Sequence, residues 1–341
     1  MKINVSAFGE VAGEVVNAFT LSNDNGMSVT LLNYGGIIKE IQVPNAEGEL
    51  VSCVQSYNTL QDYIDDPSYR GAIVGRYANR IGHGTFTLNG VQYALDKNGG
   101  EHNLHGGLAG FHKKVWAAKT QESDDKVSVT FTLTSPDGEG GFPGTVNVEA
   151  CYSLNQDNEL CLVITANTDQ ETPLSFTQHA YFTLSNDAKV GNTLLYIDAE
   201  KVTDADTTLL PTGDLVDVAN TPFDFTTLTA IKQSAEQINS HPLFDRVGGY
   251  DHNYVLRNAP EHSPQAIVKA LDTGITMALF TNLPGLQFYT GGLKSDDQLG
   301  ALCLEPQHFP DAPNKPEFPN CFVKPGETFT ASMRYKFSAY Y

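Results

Sequence analysis

Apolar and polar residues alternate with a period of two along much of this chain. Val127, Val129, Phe131 and Leu133 mark one side of such a segment, and Val146, Val148, Ala150, Tyr152 and Leu154 another. Phe329, Ala331, Met333, Tyr335 and Phe337 repeat the pattern near the end. Successive side chains of a strand point to opposite faces, so these segments read as half-buried β-strands. From Thr85 to Leu95 the chain reads TFTLNGVQYAL, and its Asn89-Gly90 pair predicts a hairpin with a two-residue turn. Helical spacing is confined to Leu228–Ile238 and Tyr57–Ile64, and no βαβ rhythm appears. The 30 glycines and 17 prolines punctuate turns throughout and do not gather into a linker. The expectation is one domain over residues 1–341: an all-β, large antiparallel β-sandwich with a few short helices, whose concave outer face can hold a ligand.

One alternating stretch carries chemistry. Leu174 to Leu184 reads LSFTQHAYFTL, with Leu174, Phe176, Ala180, Phe182 and Leu184 on one side. Ser175, Thr177, His179, Tyr181 and Thr183 share the other, which places a titratable ring in mid-strand on a polar face. Such a face is either solvated or the floor of a binding cleft.

Charge narrows the choice of partner. Lys and Arg number 21 against 40 Asp and Glu, a net charge of -19, which repels nucleic acid and anionic membrane surfaces. No segment approaches the ~20 apolar residues of a membrane span, and the N-terminus lacks an apolar run of signal-peptide length. A cytoplasmic protein is expected. Five widely spaced cysteines, three of them in apolar runs, fit reduced and buried thiols. The densest histidine group, His102, His105 and His112, matches no zinc-site spacing, so no metal is expected.

Other unusual residues gather at predicted strand margins. Gly75 to Ile81 reads GRYANRI, where Arg76 and Arg80 sit among small and apolar residues. Arg80 with Asn79 reads equally as buried structure or as a fork of donors for hydroxyl or carboxylate oxygens. Asn103-Leu104-His105-Gly106-Gly107 is a loop whose histidine is read first as a hydrogen-bonded turn residue. Asp251 and His252 are placed at the start of a strand that continues through Tyr254, Val255 and Leu256. A further strand carries Gln287 among aromatic residues, which suit sugar faces or a core. Glu305 is placed at the end of an apolar strand, held by Pro306 and partly desolvated; such carboxylates are paired with an arginine or functional.

Taken in order, Asn79-Arg80, NLHGG around His105, TQHAYF around His179, GGYDHNY around Asp251, LPGLQFYTG around Gln287 and LEPQHFPDAPN around Glu305 resemble the galactose mutarotase (aldose 1-epimerase) family. The resemblance implies a β-sandwich with a free sugar such as galactose or glucose in a cleft on one sheet, and no metal or organic cofactor. It makes His179 the general acid and Glu305 the general base, sets His105 beside the reacting oxygens, and gives Asn79, Arg80, Tyr181, Asp251 and Gln287 to substrate binding. The segment from Gln287 to Glu305 is short compared with many relatives. A hexose-6-phosphate mutarotase is the alternative within the fold, although only Arg76 and Arg80 stand out as bases for a phosphate. A non-catalytic sugar-binding module is the alternative outside catalysis. A metal-dependent enzyme built on His102, His105 and His112 has the least support.

Overall fold

Among the described residues the predicted alternation is realised chiefly as three large antiparallel sheets, with four two-stranded ones beside them. The computed structural model describes residues 1–341 apart from 187–189, 237–240, 246, 258–262, 293–299 and 340–341. Lys2–Val11, Glu14–Ser22, Ser28–Leu32, Ile37–Pro44 and Leu50–Ser52 form a five-stranded sheet in chain order. A nine-stranded sheet is centred on Val146–Asn155, Glu159–Thr168, Phe329–Ala339 and Ile275–Thr281. A six-stranded sheet runs in the order Tyr181–Phe182, Leu302–Gln307, Gly285–Gly292, Gly249–Leu256, Ala199–Ala205 and Pro211–Asp217.

All three of these sheets contribute to one core. Along Val146–Asn155 every second side chain is buried, and Tyr152 and Ala150 lie opposite Leu162 and Ile164 of the neighbouring strand. Those residues join a contiguous apolar cluster with Met333 and Tyr335 and with Leu286, Phe288, Leu302 and Leu304 of the six-stranded sheet. Each such Leu or Phe contributes about 1.5–3 kcal/mol by leaving water. Because one face of the six-stranded sheet is committed to this cluster, its polar residues are displayed together on the other.

The Asn89-Gly90 hairpin forms as expected, with φ of 51° and 79° at the two turn residues and Phe86 opposite Tyr93. Both predicted helices are shorter than their patterns. Leu60–Asp65 begins at Thr59, whose side chain accepts from the Asp62 N–H while Asp62 reaches back to Thr59. Ile231–Glu236 forms within the second pattern, whose end at 237–238 lies outside the described residues. No helix among the described residues is long and apolar enough to cross a membrane.

Some expectations change. LSFTQHAYFTL is not one strand but two short pieces, Thr177–Gln178 and Tyr181–Phe182, in different sheets, with His179 at the break. Its polar side is buried too except at Thr183, which is half-buried: Ser175 and Thr177 are wholly inaccessible and His179 is 6 % exposed. Period-two spacing survives because each piece is still extended and paired, Thr177 and Gln178 with Val74 and Ile73 and Tyr181 and Phe182 with Cys303 and Leu302, all far along the chain. Glu305 lies inside Leu302–Gln307, not at its end, and Asp251 and His252 lie inside Gly249–Leu256. Pro306 ends nothing, since an extended backbone already suits its ring. No cysteine forms a disulfide. Cys53, Cys303 and Cys321 are buried, whereas Cys151 and Cys161 are only half-buried because the intervening positions of their strands face the core.

Candidate active site

The polar face of the six-stranded sheet is ordered by cross-strand register. Asn253 lies opposite Gln287, and Gln287 opposite Glu305, so three neighbouring strands set these side chains in a row. The next row holds Asp251 opposite Tyr289, and Tyr289 opposite Cys303, with Tyr181 beyond. Hydrogen bonds fix the amides. Gln307 donates to Asn253 Oδ1 and to Gln287 Oε1, each at 3.2 Å, and Gln287 Nε2 then donates to Asp251 Oδ1 at 2.6 Å.

His179 and His105 arrive from loops above this floor. His179 Nε2 stands 3.6 Å from Glu305 Oε2, and the His105 ring meets the His179 ring edge-on at 5.3 Å. His105 occupies the left-handed region with φ of 52°, its N–H donating to the Asn79 carbonyl at 3.0 Å. Gly106 follows with φ of 85°, and a Cβ there would come within 2.0 Å of the Gly75 oxygen, so only glycine fits. The Asn79 N–H donates to His105 Nδ1 at 3.1 Å. A lone pair is therefore engaged at Nδ1, and the neutral ring carries its proton on Nε2.

Burial dominates the electrostatics. Glu305 is pushed well above the usual carboxyl range by burial and then by the Asp251 charge, with Arg80 opposing. His179 is lowered to about 4 by burial, against the favourable carboxylates of Asp251 and Asp66. Burial also lowers His105 well below its ordinary value, followed by the His179, Arg80 and His112 charges. Glu305 Oε2 and His179 Nδ1 have no hydrogen-bond partner among the described residues. A neutral carboxylic acid beside a neutral imidazole holds the same number of protons as a carboxylate beside an imidazolium. The pair can therefore pass between these two states without exchanging a proton with solvent.

Most of the anticipated residues converge here. Asn79 also accepts from the Arg80 backbone and from its Nη1 at 3.3 Å, which directs the half-buried guanidinium. Tyr181 stacks on His179 at 5.3 Å, but its hydroxyl donates to the Ser68 carbonyl. Arg76 does not reach the site: it is buried and donates to Ser135 Oγ and to the carbonyls of Ser135, Pro136, Pro143 and Gly144. His102, His105 and His112 do not share a point. His102 accepts from the His83 N–H and bonds Thr208, while His112 packs on Tyr69. His105, His179 and Glu305 are the ligand-capable trio that does converge, within 4.8 Å of one another. The His105 lone pair is already engaged by Asn79, so this donor set offers a metal only His179 and Glu305. Tyr69, Asn253 and Gln307 were not singled out from sequence. The last two lie inside the quoted motifs, whereas nothing local marks Tyr69.

The buried histidines make acid stability a measurable signature. His112 falls to about 3 and His308 to about 4, both through burial, and His105 lies well below its ordinary 6.5. A base whose folded value is depressed contributes stability above its unfolded value and loses it as pH falls. His179 adds to this trend and the raised Glu305 opposes it. Each remaining proton is worth about 1.4 kcal/mol per pH unit, and partial exposure of His112 and His308 reduces the sum to about 2–3 kcal/mol per unit. Urea midpoints should therefore fall steeply from pH 6.5 to 4.5; a flat profile would mean these rings titrate normally.

The fold and the buried His179–Glu305 pair describe a β-sandwich protein with an imidazole and a carboxyl close enough to exchange a proton. The chain belongs to the aldose 1-epimerase family, whose model matches residues 17–336. It is 34% identical to galactose mutarotase of Bos taurus over 99% of each chain and 33% identical to that of Homo sapiens over 98% of each. It is 33% identical to the aldose 1-epimerase of Escherichia coli over 96% of each. Among solved structures, galactose 1-epimerase from Lactobacillus acidophilus superposes with a TM-score of 0.87 at 26% identity, covering 99% of this chain and 98% of that one.

Proposed function

We propose that this protein is an aldose 1-epimerase that interconverts the α and β anomers of free aldohexoses, with galactose and glucose as substrates. The observation that carries the reading is the 3.6 Å pairing of His179 Nε2 with Glu305 Oε2, buried together beside His105. Anomer exchange needs a base at the C1 hydroxyl and an acid at the ring oxygen. Both oxygens hang on one carbon, so the two groups must be neighbours.

The Glu305 carboxylate takes the C1 hydroxyl proton as the bond from C1 to the ring oxygen breaks. The bonding electrons go to the ring oxygen, which receives the His179 proton. The free aldehyde then turns about the C1–C2 bond and the transfers reverse on the other face. Ring opening converts carboxylate and imidazolium into neutral acid and imidazole, the two equal-proton states of this pair. Burial favours the neutral state and the cyclic sugar needs the charged one; that the reaction runs both ways suits a pair able to hold either. His105, neutral and with its proton on Nε2, donates a hydrogen bond at the reacting oxygens. Arg80, Asn79, Asp251 and Gln287 hold the remaining hydroxyls so that both transfers stay in line.

A single domain carries this activity, a reading supported by one core cluster that runs from Phe19 to Phe337. We assign it to the cytoplasm, supported by five cysteines without a disulfide. The phosphate-ester reading loses ground because Arg76 is engaged by backbone carbonyls, leaving Arg80 and the Arg70 guanidinium, which lies over the Tyr181 ring, in a chain of net charge -19. Polarimetry of fresh α-galactose, α-glucose and α-glucose 6-phosphate tests the proposal. Faster equilibration of both free sugars than of the ester is expected, with activity retained after dialysis against EDTA. Preference for the ester would favour the phosphate enzyme, and binding without catalysis would favour the non-catalytic module.

A further inference from the structure

Tyr69 takes no part in the chemistry above, yet it sits at the point where both histidines are held. Its backbone is in the left-handed region with φ of 57°, a conformation a bulky residue keeps only when its surroundings impose it. A tight turn follows, with the Ala72 N–H donating to the Tyr69 carbonyl at 3.0 Å and Gly71 at φ 72°. That turn grips the His179 backbone from both sides: Gly71 N–H donates to the His179 carbonyl, and His179 N–H donates to the Ala72 carbonyl, each at 2.9 Å. The Gln178 side chain donates to the Gly71 carbonyl as well. The Tyr69 ring lies nearly parallel to the His179 imidazole, 25° between planes at 6.0 Å, and edge-on to His105 at 4.6 Å. Its hydroxyl accepts from Asn98 Nδ2, whose amide also donates to the Leu104 carbonyl next to His105.

We propose that Tyr69 is a positioning residue whose ring aligns His179 and His105 toward Glu305 and favours the imidazolium form of His179 by facing it with a π-surface. This rests on the acid–base reading of the site. The Tyr69 and Tyr181 rings are both close to parallel with the imidazole, and a cation over an aromatic face is stabilised even where water is excluded. The other groups facing His179 are Glu305, Asp251 and Asp66, which favour its charge, and His105 and His112, which oppose it when protonated.

Three variants separate ring, hydroxyl and backbone. Tyr69→Gly keeps the left-handed turn and removes the ring; Tyr69→Phe keeps the ring and removes the hydroxyl; Tyr69→Leu fills space without a π-face. Tyr69→Gly and Tyr69→Leu should lower kcat by ~10²-fold with KM changed less than about threefold, the signature of lost alignment in the transition state. In both, nitrogen NMR of the His179 ring should show protonation moving to lower pH by about half to one unit. Tyr69→Phe should stay within about threefold of the parent kcat with an unmoved His179 titration. Unfolding curves confirm that each variant is folded. A glycine variant with near-parent kcat and an unmoved His179 titration would overturn the proposal, and so would a phenylalanine variant as damaged as the glycine one. Because the ring titration is read without turnover, a parent protein lacking mutarotation would count against the catalytic reading and leave the effect of Tyr69 on His179 separately decided.

Discussion

Glu305→Gln is expected to lower kcat for galactose by ~10²–10⁴-fold, the range for removing one positioned proton transfer, with little change in sugar affinity. Glutamine keeps the shape of the side chain and its place in Leu302–Gln307, opposite Gln287. It cannot accept a proton from the C1 hydroxyl. It also carries no charge, so it relieves the burial that pushes Glu305 upward, and the variant should be at least as resistant to urea as the parent. Loss of rate with equal or greater stability separates a chemical role from a structural one. Near-normal kcat in the folded variant would require another base, with Asp251 and His105 the first to examine.

The dependence of kcat/KM on pH is expected to be a bell with a broad top, and its limbs belong to the pair. In the proposed mechanism the productive state holds one proton shared by His179 and Glu305. Acid adds a second proton and gives carboxylic acid with imidazolium; base removes the last and gives carboxylate with imidazole. His179 is lowered to about 4 and Glu305 is raised well above its ordinary value. The acidic limb therefore reports mainly the imidazole and the basic limb mainly the carboxyl, the reverse of the order that unperturbed groups would give. His179→Asn should abolish the basic limb and lower kcat by ~10²–10⁴-fold, leaving an acidic limb that reports protonation of Glu305 alone. Retention of a basic limb in His179→Asn would assign it to another group.

The sequence went a long way because its signals were local. Alternation in Val146–Asn155 and Phe329–Ala339 reports a strand with one face in a core, whatever lies on the other side. Asn89-Gly90 specifies its own turn through φ preferences that need no partner. Motif order carried the family resemblance, and the match to the family model agrees with it. Two arginines in one heptapeptide, by contrast, looked alike. Arg76 became a buried clamp on backbone carbonyls while Arg80 was directed by Asn79, because the partners of Arg76 come from 59 to 68 residues away.

What the sequence determined by itself is therefore the strand pattern, the turns and the set of residue types able to exchange protons and hold hydroxyls. Tertiary structure decided the rest. It buried the polar side of LSFTQHAYFTL, which the alternation left equally open to solvent or cleft. It brought His105, His179 and Glu305, separated by 74 and 126 positions, within 4.8 Å, turned His102 away to Thr208 and set His112 behind them against Tyr69. It also fixed the His105 proton through a backbone N–H and set Tyr69 against two histidines. The physical reason is that periodicity and turn preference act through neighbours in the chain, whereas desolvation, tautomer and charge coupling depend on what the folded sheets and loops place within a few ångströms.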